Sequence, residues 1–119
     1  MKFLCQVWFD GAMLAARTNE EKHKLGVDSL GYDRDLMASG HMIHAEALQS
    51  PKSAVTVRMR NGGTEVTDGP FIETKEHLGG FILIEAKGMD EAIRVAAGIP
   101  LAKLGAIEVR PIHNFGPDA

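Results

Sequence analysis

Residues 2–9, KFLCQVWF, carry apolar side chains at both parities of an extended chain. Phe3, Cys5, Val7 and Phe9 fall on one side, and Leu4 and Trp8 flank Gln6 on the other. A strand washed by solvent on one face alternates apolar with polar, so this run reads as a strand buried on both faces, stopped by Asp10-Gly11. One layer of helices covers one face of a sheet. Leaving the second face wet would forgo about 25 cal/mol per Å² of apolar surface, several kcal/mol against a domain stability of about 5–15 kcal/mol. The 119 residues contain no internal repeat that would supply a second sheet, so the cover is expected from another copy of the chain, a homodimer.

The rest of the chain supplies the elements for such a sheet. Thr18-Asn19-Glu20-Glu21 is a capping box that opens a helix. Leu25, Ser29, Tyr32 and Leu36 recur at helical spacing, Gly40 provides a left-handed stop, and Gly26 and Gly31 predict a break or kink between them. A strand is expected over 41–48, ended by Pro51, with Met42, His44, Glu46 and Leu48 on one face and Ile43, Ala45 and Ala47 on the other. Val55, Val57 and Met59 alternate with Thr56, Arg58 and Arg60 ahead of Asn61-Gly62, a hairpin signal with Val66 beyond. Residues 67–80, TDGPFIETKEHLGG, lack a period and read as an ordered loop; loops of that length in small domains are commonly functional. Phe81–Ala86 reads as a strand, Asp90 as the cap of a short helix through Ala97 that Pro100 closes, and Ile107–Ile112 as the last strand. The order is βαββαβ, an α+β ferredoxin-like domain over 1–113 with a loose tail, 114–119.

Charge and cysteine usage narrow the function classes. Thirteen Lys+Arg against 16 Asp+Glu leave a net charge of -3, too little positive field for nucleic-acid binding by counterion release. The N-terminal MKFLCQVWFDG fits neither a secretory signal nor a membrane span, and the single Cys5 cannot form an intramolecular disulfide, so a cytoplasmic protein is expected. Cys5 itself, set among apolar residues, reads as a buried inert thiol.

Candidate site residues cluster in two places. In the loop, Asp68 either forms an Asx-type turn ahead of Gly69-Pro70 or serves a ligand, and Phe71 either anchors the loop or lines a pocket. Glu73, Lys75, Glu76 and His77 place four ionisable groups in five residues, enough for a polar ligand or an acid and a base, though a solvated charged loop explains them equally. On the strand, His44 and Glu46 lie two apart and share a face, where the carboxylate would orient the imidazole; His41 falls on the opposite face. Arg58 and Arg110 would hold an anion bidentately if they face a common interior, or else pair with Glu108 or Glu46. No H-x-E-x-H or HExxH spacing occurs, and neither a metal nor a cofactor is expected.

Asp68-Gly69-Pro70-Phe71, then Glu73-Thr74-Lys75-Glu76 and Leu78-Gly79-Gly80-Phe81, resemble the DGPF branch of the YCII-related family. Gly40-His41, Ala45-Glu46-Ala47-Leu48-Gln49, Thr56-Val57-Arg58 and Ile107-Glu108-Val109-Arg110-Pro111 extend the likeness over most of 1–113. The resemblance implies a dimeric α/β barrel, two ferredoxin-like units packed sheet to sheet. It also implies a small-molecule site using a histidine on the first helix and an aspartate before the proline after the second. Here those positions hold Ser29 and Ile99, which cannot form an acid–base pair. By association, the resemblance implies a sigma factor as a protein partner. Three readings stand side by side. The first is a dimer binding a small organic molecule in its inter-sheet cleft, with His44 or His77 as base and Glu46, Glu73 or Asp68 as partner in proton-transfer, lyase or hydrolytic chemistry. The others are a non-catalytic accessory or sensor module and a purely structural dimer.

Overall fold

In the computed structural model, which describes residues 1–116, β1 (Lys2–Asp10) runs through the middle of a four-stranded antiparallel sheet. It pairs with β5 (Glu76–Glu85) on one side and β6 (Ala106–Pro111) on the other, and β2 (Met42–Ala47) completes the sheet beyond β5. The helices are α1 (Gly11–Ala15), α2 (Asn19–Ala38) and α3 (Met89–Ala97). The chain path strand–helix–strand, strand–helix–strand and the order β2-β5-β1-β6 make an α+β fold compatible with a ferredoxin-like arrangement.

Alternation along β1 decides which face meets the helices. Phe3, Cys5 and Val7 are buried with Ile82 and Ile84 of β5, against Leu36 of α2 and Ala92, Val95 and Ala96 of α3. Tyr32 Oη on α2 donates to the Val95 carbonyl at 2.6 Å, tying the two helices together. Cys5 is fully buried, and burial pushes its thiol up to about 11, which keeps it protonated and unreactive. The opposite parity, Leu4 and Trp8 of β1 with Phe81 and Leu83 of β5, forms a second apolar face, half-buried by its own neighbours and outside the core cluster.

Several expectations are corrected. The hairpin, β3 (Val55–Arg60) and β4 (Gly63–Asp68), is a separate two-stranded sheet and contributes nothing to the four-stranded one. Its turn is as expected, with Asn61 at φ 51° and Gly62 at φ 75°. The loop expected over 67–80 shrinks to residues 69–75, because β5 starts at Glu76 and pairs Glu76, His77 and Leu78 with Asp10, Phe9 and Trp8. A bulge at Val7/Trp8 absorbs Gly79 and restores the register. A second bulge, between Met42 and His44, turns Met42 onto the core side with Ala45, so Met42 does not share the His44 and Glu46 face. Helix α2 runs unbroken through Gly26 and Gly31. Its capping box forms on both sides, Glu21 N to Thr18 Oγ1 at 3.1 Å and Thr18 N to Glu21 Oε1 at 3.0 Å, and its packing offsets the glycines. Gly40, at φ 81°, ends it as expected. Gly88, not Asp90, is the N-cap of α3, and Asp90 lies in its first turn. Helix α1, too short for a periodic signal, was not foreseen; the Asp10 carboxylate caps it by accepting from Ala12 N at 2.9 Å. Part of the tail expected to be loose, 117–119, lies outside the described residues.

Candidate functional site

The hairpin leaves the sheet at the Trp8 end, and a cavity of about 740 Å³ opens between its root and the sheet. Trp8 and Leu78 come from the second apolar face, Leu48 and Pro51 from the segment after β2, and Phe71 and Ile72 from the 69–75 loop. Gln49, Ser50, Ser53 and Thr74 add uncharged polar groups, and among the described residues His77 is the single ionisable one of the wall. Its ring leans on Phe9, centroids 4.9 Å apart at 59°, and its Cε1 lies beside Gly11, where an added methyl would come within 3.0 Å. A side chain larger than hydrogen at residue 11 would displace the imidazole. On its other flank His77 borders a second hollow of about 680 Å³ with Asp10, Lys52 and Lys75.

The remaining candidates scatter. His44 Nε2 and Glu46 Oε2 lie 3.0 Å apart on the β2 edge, both well exposed and outside the cavity at the hairpin root; the shared face is as the spacing requires. Arg110 pairs with Glu108 at 2.9 Å on the opposite edge strand, and Arg58 stacks on Phe71 at 5.0 Å on the hairpin, so the two arginines do not converge on an anion. Phe71 is 70% exposed and lines the cavity, which rules out the core anchor. The Asx turn at Asp68 does not form: Gly69 makes the bend at φ 99° and donates to the Ala54 carbonyl at 2.7 Å, and the Asp68 carboxylate accepts no hydrogen bond among the described residues. Glu73 is exposed and faces Gly69, and the Lys75 ammonium lies 4.0 Å from Asp10. Among the described residues, no group of three or more His, Cys, Asp or Glu side chains is placed to hold a metal ion. No helix among them is long and apolar enough to cross a membrane.

Ser29 and Ile99, far apart in sequence, do meet across a smaller hollow of about 300 Å³ between α2 and the β2 edge. Asp33, one turn after Ser29, shares it, and burial raises its carboxyl above the ordinary value. A polar chain that sequence reasoning missed ties the helix ends. Ser39 Oγ is 2.7 Å from His41 Nδ1, His41 Nε2 is 2.7 Å from Glu91 Oε1, and Lys87 N donates to Glu91 Oε2 at 3.0 Å. Glu91 is 50 residues from His41, beyond any local period.

The hydrogen bonds from His41 and then from Lys87 hold the Glu91 carboxyl below its ordinary 4.5. A lowered carboxyl stabilises the fold above its unfolded pKa, and the contribution fades as pH falls through the folded value. Thermal scans across pH are therefore expected to show Glu91→Gln melting below the wild type near pH 7, with the gap closing as pH falls below the ordinary carboxyl value of 4.5. A gap independent of pH would remove the ionised carboxylate from the tie.

A protein of Rhizobium meliloti (strain 1021) described only as uncharacterised is 34% identical over 110 residues, covering 91% of this chain and 89% of the relative. The family model of the YCII-related domain matches residues 1–116, the whole span that carries the sheet, the hairpin and the cavity. The chain belongs to the YCII-related family.

Proposed function

We propose that the protein works as a homodimer that binds a small, largely apolar organic molecule in the cavity at the root of the hairpin, with His77 as the group that takes or gives a proton. The carrying observation is the composition of that wall: Trp8, Leu48, Phe71, Ile72 and Leu78 around one imidazole, in a volume suited to a molecule of drug-like size. An apolar enclosure rewards burial of a hydrocarbon or aromatic body, and a lone imidazole selects for one polar or acidic group on it. Of the residues offered as catalytic from the sequence, His77 alone lines this wall; His44 and Asp68 lie elsewhere. The dimer covers the second sheet face by stacking two four-stranded sheets, the ferredoxin-like barrel arrangement, and sets the cavity beside the seam.

Trp8 is the chain's one tryptophan, so its emission reports directly on the wall. Titration with the apolar anion 1-anilinonaphthalene-8-sulfonate is expected to change that emission saturably. Ile72→Asp should weaken binding roughly tenfold or more by placing a charge in the apolar wall. His77→Ala should weaken the anionic probe more than an uncharged naphthalene. Linear, unsaturable changes, or affinities untouched by Ile72→Asp, would refute the site.

A further inference from the structure

The hairpin presents an apolar face that the other described residues of its own chain do not cover. Val55, Val57 and Met59 on β3 and Val66 on β4 lie on one side, Val57 directly opposite Val66, and each is more than half exposed. The other side carries Arg58, which turns toward Phe71 and the cavity. Among the described residues, β3 and β4 make their substantial contacts with each other alone. A two-stranded hairpin by itself is marginally stable in water, and four adjacent exposed aliphatic side chains exceed the scattered exposure normal for a surface. The molecule is a slab of 49 × 48 × 18 Å with a radius of gyration of 16.5 Å, against about 14 Å for a compact chain of this length. The hairpin therefore reaches outward within the slab and does not fold back on its own sheet.

Area identifies the occupant. A four-stranded face with strands about 4.8 Å apart and about six residues at ~3.3 Å has a footprint of roughly 400 Å², half of the ~800 Å² per partner in an ordinary stable interface. A hairpin of this size offers roughly 200 Å² more on each copy, which raises the footprint to roughly 600 Å² and toward that size. The hairpin root is also continuous with the open sheet face, since Ala54 and Phe71 share the cavity wall with Trp8 and Leu78.

We propose that the β3–β4 hairpin is a dimerisation arm whose Val55, Val57, Met59 and Val66 face packs on a second copy of this chain. The inference rests on the homodimer reading above and adds to it the element that completes the interface. Each copy gives an arm and receives one.

Sedimentation equilibrium over a dilution series separates the arm from the sheet face. Val57→Lys with Val66→Lys is expected to weaken the dimer roughly tenfold or more, and Met59→Glu by a smaller factor, with Arg60→Glu on the other side of the hairpin leaving it unchanged. In the wild type, amides of residues 55–66 are expected to gain hydrogen-exchange protection as concentration rises through the dimer range, a readout independent of whether a variant hairpin folds. If the arm variants dimerise like the wild type while Leu83→Glu on the sheet face yields monomers, the arm is overturned and the dimer stands. Protection that does not depend on concentration, with dimer strength unchanged in the arm variants, gives the face to a different protein or to none and equally overturns the arm. A wild type that is monomeric at micromolar concentration overturns both.

Discussion

Phe3→Ala is expected to destabilise the fold by about 3–5 kcal/mol and to lower the melting temperature by roughly 10–20 °C. Phe3 is the largest fully buried side chain, at 0% exposure, on the strand that is hydrogen-bonded on both sides. Its ring sits on the core side next to Cys5 and Ile84, under the two helices. Collapse into the space left by the ring would require β1 to move, and β1 is held by the ladders to β5 and β6, with Phe3 facing Ile84 and Pro111 in register. The cavity therefore persists, and its cost adds to the lost transfer free energy. Against a total of about 5–15 kcal/mol the loss is large enough to leave a sizeable unfolded fraction at 37 °C. Urea titration checks it; a cost below about 1 kcal/mol would mean that the core repacks around the gap, and that the sheet is softer than its pairing implies.

Gly105→Ala is expected to cost about 2–3 kcal/mol, because the new methyl would run into the carbonyl oxygen of Trp8, with Phe9 Cβ at 3.0 Å on its other side. The obstacle is backbone of the central strand, which cannot swing aside as a flexible side chain would. Relief comes only by pushing the β1 end that carries Trp8 away from the start of β6, and Trp8 is a wall of the cavity. The variant should therefore shift tryptophan emission and weaken probe binding together with its loss of stability. Gly26→Ala is the internal control: nothing lies within 4 Å of the added methyl, the site is mid-helix, and a gain of about 1 kcal/mol is expected. Equal effects at the two positions would show that helix propensity or chain entropy, and not the Trp8 carbonyl, sets the outcome.

Local reading succeeds where a few neighbouring residues decide the outcome. The capping box at Thr18 and Glu21, the Gly40 stop and the Asn61-Gly62 turn are each decided by a few neighbouring residues, and each forms as its side-chain chemistry or φ preference requires. Gly105 carries no such signal, because what forbids a side chain there is a strand reached from the other end of the chain. The expected break in α2 failed for a related reason. Glycine lowers local propensity by a fixed amount, whereas the Tyr32 to Val95 bond and the burial of Leu36 are long-range terms that local propensity omits.

The site divides in the same way. Alternation placed His44 and Glu46 on one face, as the structure has them, and the lack of a period marked 67–80 as a loop, of which 69–75 remains one, but His44 and His77 had equal standing as candidate bases. Pairing of β5 with the end of β1 set His77 against Phe9 and into the cavity wall, and left His44 on an exposed edge.

The residue pattern alone determined that β1 is apolar on both sides, that two helices and an antiparallel hairpin punctuate the chain, and that the cysteine is inert, since each follows from side-chain parity, capping or desolvation within a short window. Tertiary structure alone decided that the hairpin stands apart from the main sheet, that Ser39, His41 and Glu91 form one chain, and which imidazole meets the cavity. Those outcomes depend on strand register and on contacts tens of residues apart, where a single bulge reverses the face a side chain takes.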